Sequence, residues 1–241
     1  MIYKTQGIVF RTTDYSDSSL IVKIYTEVYG IQSFLVKGAK RKGASVKSNL
    51  FQPLTLLELT AYKNEKKQLQ TLKEIRVATP LISIYSSPVK MSLLFFINEV
   101  VYKCIHEEEG NPNLFLFLQE SIQLLENTEE NYINFHLIFL MRLSRFLGFY
   151  PKGNFSDANC LFDMQEGLFL NTPPSHTRYL TIERSLLLNK LLLSNYYDMG
   201  NLVVSAIERR KLLEVLVEYY EIHLSHIGKL NSHKILQQIF E

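Results

Sequence analysis

The chain has two cysteines, Cys104 and Cys160, among 241 residues, and no tryptophan. Two thiols cannot build a disulfide scaffold, so the core must hold the fold, and a reducing compartment is expected. No run approaches the roughly 18 consecutive apolar residues of a membrane-crossing helix. Met1-Ile2-Tyr3-Lys4 begins no apolar signal segment, so the expectation is a cytoplasmic protein with no membrane contact. Nucleophile elbows, phosphate-binding loops, glycine-rich dinucleotide turns and zinc-protease motifs are also absent. His106-Glu107-Glu108-Glu109 starts like a metalloprotease helix but lacks the second histidine. His223 and His226 stand three apart without an evident third ligand, and Cys160 with His176 supplies two donors where a structural zinc needs four. Ordinary packing or exposure explains these residues better than a metal. No constellation points to an enzyme, and no cofactor is expected.

Net charge is scarce too, since 26 Lys and Arg against 24 Asp and Glu leave +2. The total hides two unlike parts. Residues 1–80 hold 13 basic and 6 acidic side chains, a balance of +7, whereas residues 81–241 hold 13 and 18, a balance of −5. A basic head on an acidic body is the asymmetry of a domain that meets a polyanion. Apolar residues at 46% and charged residues at 21% are ordinary for a folded chain.

The change of charge coincides with a change of period. Residues 2–13, 19–28, 31–37, 54–62 and 69–77 read as five short strands, with Leu20, Val22 and Ile24 on one face of the second. Five strands in about 80 residues suggest a small barrel, the OB-fold above all. From Pro80 onward, prolines punctuate apolar segments of helical period at 89–107, 112–125, 131–147, 182–195 and 205–227. Residues 149–179 are too polar and proline-rich for helix, and a small hairpin is expected between 161–163 and 167–170. The fold class is therefore α+β, with a five-stranded OB-fold over 1–79 and an all-helical domain over 80–241 that carries the hairpin insertion.

Between Val28 and Leu57 there is no acidic residue, and Lys37, Lys40, Arg41, Lys42 and Lys47 fall within that span. A glycine-flanked loop of cations can follow a phosphate backbone without reading sequence. On a barrel, Arg11, Lys23, Lys73 and Arg76 would add charge from neighbouring strands. Tyr25 and Phe34 alternate with polar neighbours. They either stack on exposed bases or fill the core, and the usual burial of such rings favours the core.

The order of residues then becomes recognisable. Gly7-Ile8-Val9-Phe10-Arg11-Thr12-Thr13-Asp14-Tyr15-Ser16-Asp17-Ser18 resembles the opening signature of the RecO family of bacterial recombination mediators. Tyr29-Gly30-Ile31, Val36-Lys37-Gly38-Ala39-Lys40-Arg41 and Gln52-Pro53-Leu54-Thr55-Leu56-Leu57-Glu58-Leu59 continue the resemblance in order. Leu147-Gly148-Phe149-Tyr150-Pro151 and Arg210-Lys211-Leu212-Leu213 extend it to the C-terminal part. The resemblance implies binding of single- and double-stranded DNA, annealing of complementary strands, and help in loading RecA onto strands coated by single-stranded-DNA-binding protein. The implied partners are RecR and the acidic C-terminal tail of the coating protein, with RecA engaged indirectly and the nucleoid as the place of work.

Many members of that family hold zinc with two Cys-x-x-Cys pairs after the Gly-[Phe/Tyr]-x-Pro signature. Here only Cys160 remains, so a hairpin without zinc is expected. Arg142 and Arg145 precede Leu147-Gly148 on an apolar helix. They either seat the acidic tail or simply complement a helix C-terminus. The competing reading of the whole chain is a non-enzymatic adaptor whose basic barrel binds RNA or an acidic protein surface.

Overall fold

The structure, a computed structural model, describes residues 1–41 and 46–239. They form two compact units, Met1–Asn127 and Thr128–Glu241. In the first unit, strands β1 (Ile2–Asp14), β2 (Leu20–Thr26), β3 (Gly30–Val36), β4 (Leu56–Tyr62) and β5 (Leu69–Thr79) close into a barrel in the order β1-β2-β3-β5-β4. All neighbouring pairs are antiparallel except β3 with β5. This is an OB-fold barrel.

Alternation along the strands decides what fills it. Leu20, Val22 and Ile24 of β2 meet Phe34 and Val36 of β3, together with Val9, Leu57, Leu59, Ala61 and Phe51, in one buried cluster. Each large side chain so buried contributes about 1.5–3 kcal/mol. The β1–β2 register shifts between Val9 and Arg11. The bulge leaves Phe10 out of the pairing, stacked on Tyr25 at 5.4 Å, and brings Arg11 opposite Lys23.

Three helices complete this unit: α1 (Ile82–Ser86), α2 (Pro88–Cys104) and α3 (Pro112–Asn127). Ser87 caps α2, accepting from the Lys90 amide, and Pro88 opens its first turn. The stripe foreseen on α2 is buried at Leu93, Phe96, Ile97, Val100 and Cys104. The Glu126 carboxylate accepts from the Ser83 and Ile84 amides at 2.7 and 2.9 Å, satisfying the start of α1. Strand period gives way to helix after Thr79, yet the compact unit that contains the barrel continues to Asn127.

The second unit contains α4 (Phe135–Phe146), β6 (Leu161–Asp163), β7 (Leu168–Leu170), β8 (Tyr179–Leu180), α5 (Ile182–Leu192), α6 (Ala206–His223) and α7 (Ser232–Ile239). The expected hairpin is β6–β7, and β8 adds a third strand on the other side of β6. Helix α4 is buried nearly all round, as its unbroken apolar sequence requires. A Ser205–Glu208 capping box starts α6, whose Tyr220 hydroxyl donates to the Leu140 carbonyl at 2.6 Å.

His136 on α4 is fully buried. Burial first, and the Arg209 charge second, push its ring down from 6.5 to about 3. Its folded value lies below its unfolded one, so its stabilising effect is complete above about pH 6.5 and is lost as pH falls toward 3. At pH 5 the expected cost is about 2 kcal/mol relative to neutral pH. Urea melts across this range should show that loss, and His136→Leu should flatten the pH profile. An unchanged profile in the variant would refute the assignment.

Candidate nucleic-acid interface

The outer surface of the β1–β2–β3 sheet falls into two parts. On the first, Tyr25 lies between Phe10 and Phe115 of α3, with ring centroids 5.4 and 6.1 Å away. Its exposure is 0%, and so is that of Phe34, which points into the barrel. Neither ring is open to a base. Burial also pushes the Tyr25 hydroxyl well above its ordinary pKa. The core alternative for both aromatics holds.

On the second part, the register aligns Arg11 with Lys23 and Lys23 with Ser33, then Thr13 with Ile21 and Ile21 with Leu35. Two like charges directly opposite each other repel. Tyr102 of α2 partly relieves this. Its hydroxyl accepts from Arg11 Nη1 at 2.9 Å, and its ring centroid lies 5.3 Å from the Arg11 guanidinium carbon and 5.3 Å from Lys23 Nζ. Each such cation–ring contact is worth about 0.5–1 kcal/mol at an exposed site. Among the described residues neither cation meets a carboxylate. The arrangement therefore presents two neighbouring positive charges on one face of the barrel.

The loop cations differ in their freedom. Lys37, Lys40, Arg41 and Lys47 are exposed, and Lys42 lies outside the described residues. Lys40 Nζ is 2.6 Å from Asp14 Oδ1 at the end of β1, and its amide donates to the Ser18 carbonyl. That cation is already partly neutralised. Lys73 is exposed on β5 at a register shift against β4.

Arg76 faces Glu58 across β4–β5, donating from Nε to Glu58 Oε2 at 2.8 Å. Both line a groove of about 630 Å³ with Lys4, Glu27 and Glu74, where three acids outnumber two bases. Arg76 thus stands on a net acidic surface rather than with Arg11 and Lys23.

Other cations escaped the sequence reading. Lys66 and Lys67 are exposed on the β4–β5 turn, one of the two loops that flank the ligand face of an OB-fold. Lys63 Nζ sits 3.5 Å above the Tyr29 ring. The turn read as merely polar, because its Lys63-Asn64-Glu65-Lys66-Lys67 mixture hides a local excess of positive charge. Tyr102 gave no signal at all, since only the packing of α2 brings it to Arg11.

In the second unit, Arg142 lies over the Tyr196 ring at 5.0 Å and Arg145 over the Tyr150 ring at 4.2 Å. Arg145 and its neighbour Phe146 are exposed. A cation on an aromatic face beside an apolar side chain suits a carboxylate-bearing, hydrophobic peptide.

The 149–179 segment does not fit zinc. Asp163 occupies the position three after Cys160, and its Oδ1 accepts from the Gln165 and Glu166 amides at 2.8 and 3.1 Å. Its Oδ2 faces His176 Nε2 at 3.3 Å. Among the described residues no three His, Cys, Asp or Glu side chains gather as metal ligands. Phe149 and Phe162 instead pack against Tyr219, and Phe169 packs against Phe162 with ring centroids 5.0 Å apart. His223 lies parallel to Phe149 at 5.1 Å and donates to the Met164 carbonyl at 2.9 Å, so it serves packing. Metal analysis should give well under one zinc per chain. A stoichiometric zinc would contradict this.

No helix of the described residues is long and apolar enough to cross a membrane. Comparison with known families matches residues 1–81 to the N-terminal and residues 85–233 to the C-terminal part of recombination protein O. The chain is similar to the DNA repair protein RecO of Bacteroides fragilis, 39% identical over 242 residues, and to that of Azobacteroides pseudotrichonymphae, 36% identical over 241. The RecO of Flavobacterium psychrophilum is 36% identical over 242 residues. Each alignment covers 100% of both chains. With the OB-fold barrel in place and both family segments matched in order, the chain belongs to the RecO family of DNA repair proteins.

Proposed function

We propose that this protein is a non-enzymatic mediator that binds single- and double-stranded DNA through the open face of its barrel. It anneals complementary strands and, with RecR, helps load RecA onto DNA coated by single-stranded-DNA-binding protein. The observation that carries the reading is the Arg11–Lys23 pair, aligned across two strands and held by Tyr102 without an acidic partner. A phosphate supplies the missing counter-charge. Neutralising phosphates on two strands lowers their mutual repulsion, so that pairing proceeds without nucleotide hydrolysis.

Lys37, Arg41, Lys47 and Lys73, with Lys42, extend the positive surface. Lys40 and Arg76 contribute less because Asp14 and Glu58 already hold them. Arg142 and Arg145 form the seat for the acidic tail of the coating protein.

Affinity for a single-stranded oligonucleotide should fall with salt at a log–log slope of about −0.7 per phosphate neutralised. Replacing Arg11 and Lys23 together by alanine should flatten that slope by about 1.4. It should also weaken binding roughly 10- to 100-fold at low salt, whereas Arg76→Ala should do far less. An unchanged slope in the double variant would remove the site. Annealing of coated strands, with and without the acidic tail, tests the mediator role. Failure to anneal coated strands would count against it.

A further inference from the structure

The barrel has a second feature suited to nucleic acid that the cations do not explain. Residues 15–19 join β1 to β2, and Tyr15 in this loop is 58% exposed. The loop that carries it is nonetheless well ordered by hydrogen bonds. The Tyr15 and Ser16 amides both donate to the Ser19 carbonyl, at 3.0 and 3.2 Å, and the Ser19 amide returns a bond to Ser16. The turn is also tied to the basic loop after β3, through the Lys40 amide to the Ser18 carbonyl and the Lys40–Asp14 ion pair. Leu20, where the chain enters β2, pairs with Val36, just before exposed Lys37.

We infer that Tyr15 is a base-stacking platform for single-stranded nucleic acid, set at the end of the cationic face. The inference rests on the DNA-binding reading and adds to it a contact with bases rather than phosphates. Local charge separates the two roles. Asp14 is neutralised by Lys40, but Asp17, two residues beyond Tyr15, meets no cation among the described residues and disfavours a phosphate there. An aromatic face carries no such penalty toward a base, and every base has a π-face to offer. Lys37 and Arg41 on the adjoining turn take the flanking phosphates. The hydrogen-bonded turn fixes the ring's base before binding, which reduces the ordering cost on association.

The chain's lack of tryptophan makes the test direct. Tyr15→Trp introduces a single fluorescent reporter. Its emission should be quenched by an oligodeoxythymidine and not by an abasic oligonucleotide of equal length. Tyr15→Ala should weaken oligodeoxythymidine binding about 10-fold, within the range for losing one base–aromatic stack. It should leave abasic binding, the salt slope and the melting temperature unchanged, and Tyr15→Phe should bind like the wild type.

If Tyr15→Ala binds oligodeoxythymidine normally while the Arg11/Lys23 double variant does not, the stacking role falls and the phosphate site stands. Equal losses on abasic and normal strands would also overturn it, by showing a contact with the backbone. If the wild-type protein binds neither strand, both readings fall together. Should Tyr15→Ala fold poorly, the quenching of Tyr15→Trp decides the question alone.

Discussion

Gly30→Ala is expected to destabilise the barrel by about 3 kcal/mol or more, combining left-handed strain with a steric clash. Gly30 begins β3 at φ +57°, a conformation that costs an ordinary residue about 1–2 kcal/mol. The larger part of the effect is steric. A Cβ there would lie 2.4 Å from the Glu107 carbonyl oxygen and 2.5 Å from that of Glu109. These are backbone atoms of the segment that follows α2, and the Ile31 amide donates to the Glu107 carbonyl at 2.9 Å. The neighbour cannot withdraw without breaking that bond. Gly228→Ala supplies the control, since Gly228 has φ +61° and open space where its Cβ would go. It should cost only the conformational part, about 1–2 kcal/mol. Thermal melts followed by circular dichroism should therefore separate the two variants, with Gly30→Ala lower by roughly 5 °C or more. Equal melting temperatures would show that the contact with the α2 end is not rigid. Because β2 and β3 carry Lys23 and Ser33, oligonucleotide binding should fall along with the fold.

That contact illustrates what the sequence made legible and what it did not. Period-two alternation identifies all five strands and the inward set Leu20, Val22 and Ile24, because each residue's face follows from its own position in the strand. Closure of the barrel and contacts made by distant segments are not encoded in that local way. Tyr25 and Phe34 look alike in sequence, each between one apolar and one polar neighbour. Phe34 is buried because it points inward, whereas Tyr25 is buried because Phe115, ninety residues later, covers the outer face there.

The same limit applies to charge. Purity of sign between Val28 and Leu57 marks Lys37, Lys40, Arg41 and Lys47, which are exposed, but Lys40 finds Asp14, and Arg76 finds Glu58 through strand register. The pair proposed to meet an anion, Arg11 and Lys23, is twelve residues apart and is aligned by the register that the Phe10 bulge sets.

The largest effect in the second unit should come from Asp163→Ala, at about 3–5 kcal/mol. Asp163 closes β6, and one carboxylate oxygen accepts two backbone amides, Gln165 at 2.8 Å and Glu166 at 3.1 Å. The Gly167 amide meanwhile donates to the Asp163 carbonyl at 2.9 Å, so the whole turn is organised by this residue. Hydrogen bonds to a charged acceptor contribute about 1.5–3 kcal/mol each, and alanine would leave both amides without it. The consequence reaches beyond the turn, because β6 and β7 place Phe162 and Phe169 against each other and Phe162 against Tyr219 of α6. Asp163→Asn retains a side-chain oxygen for the amides and removes only the charge facing His176. It should cost about 1–2 kcal/mol, and His176→Ala less, since that ring is partly exposed and its pairing is screened. Denaturant melts should thus rank alanine as the worst of the three. If asparagine proves as damaging as alanine, the contact with His176 organises the turn instead of the backbone amides. Chelator should shift none of these melts, because the segment is held by a buried carboxylate and by Phe149 and Phe162 against Tyr219, with Phe169 against Phe162.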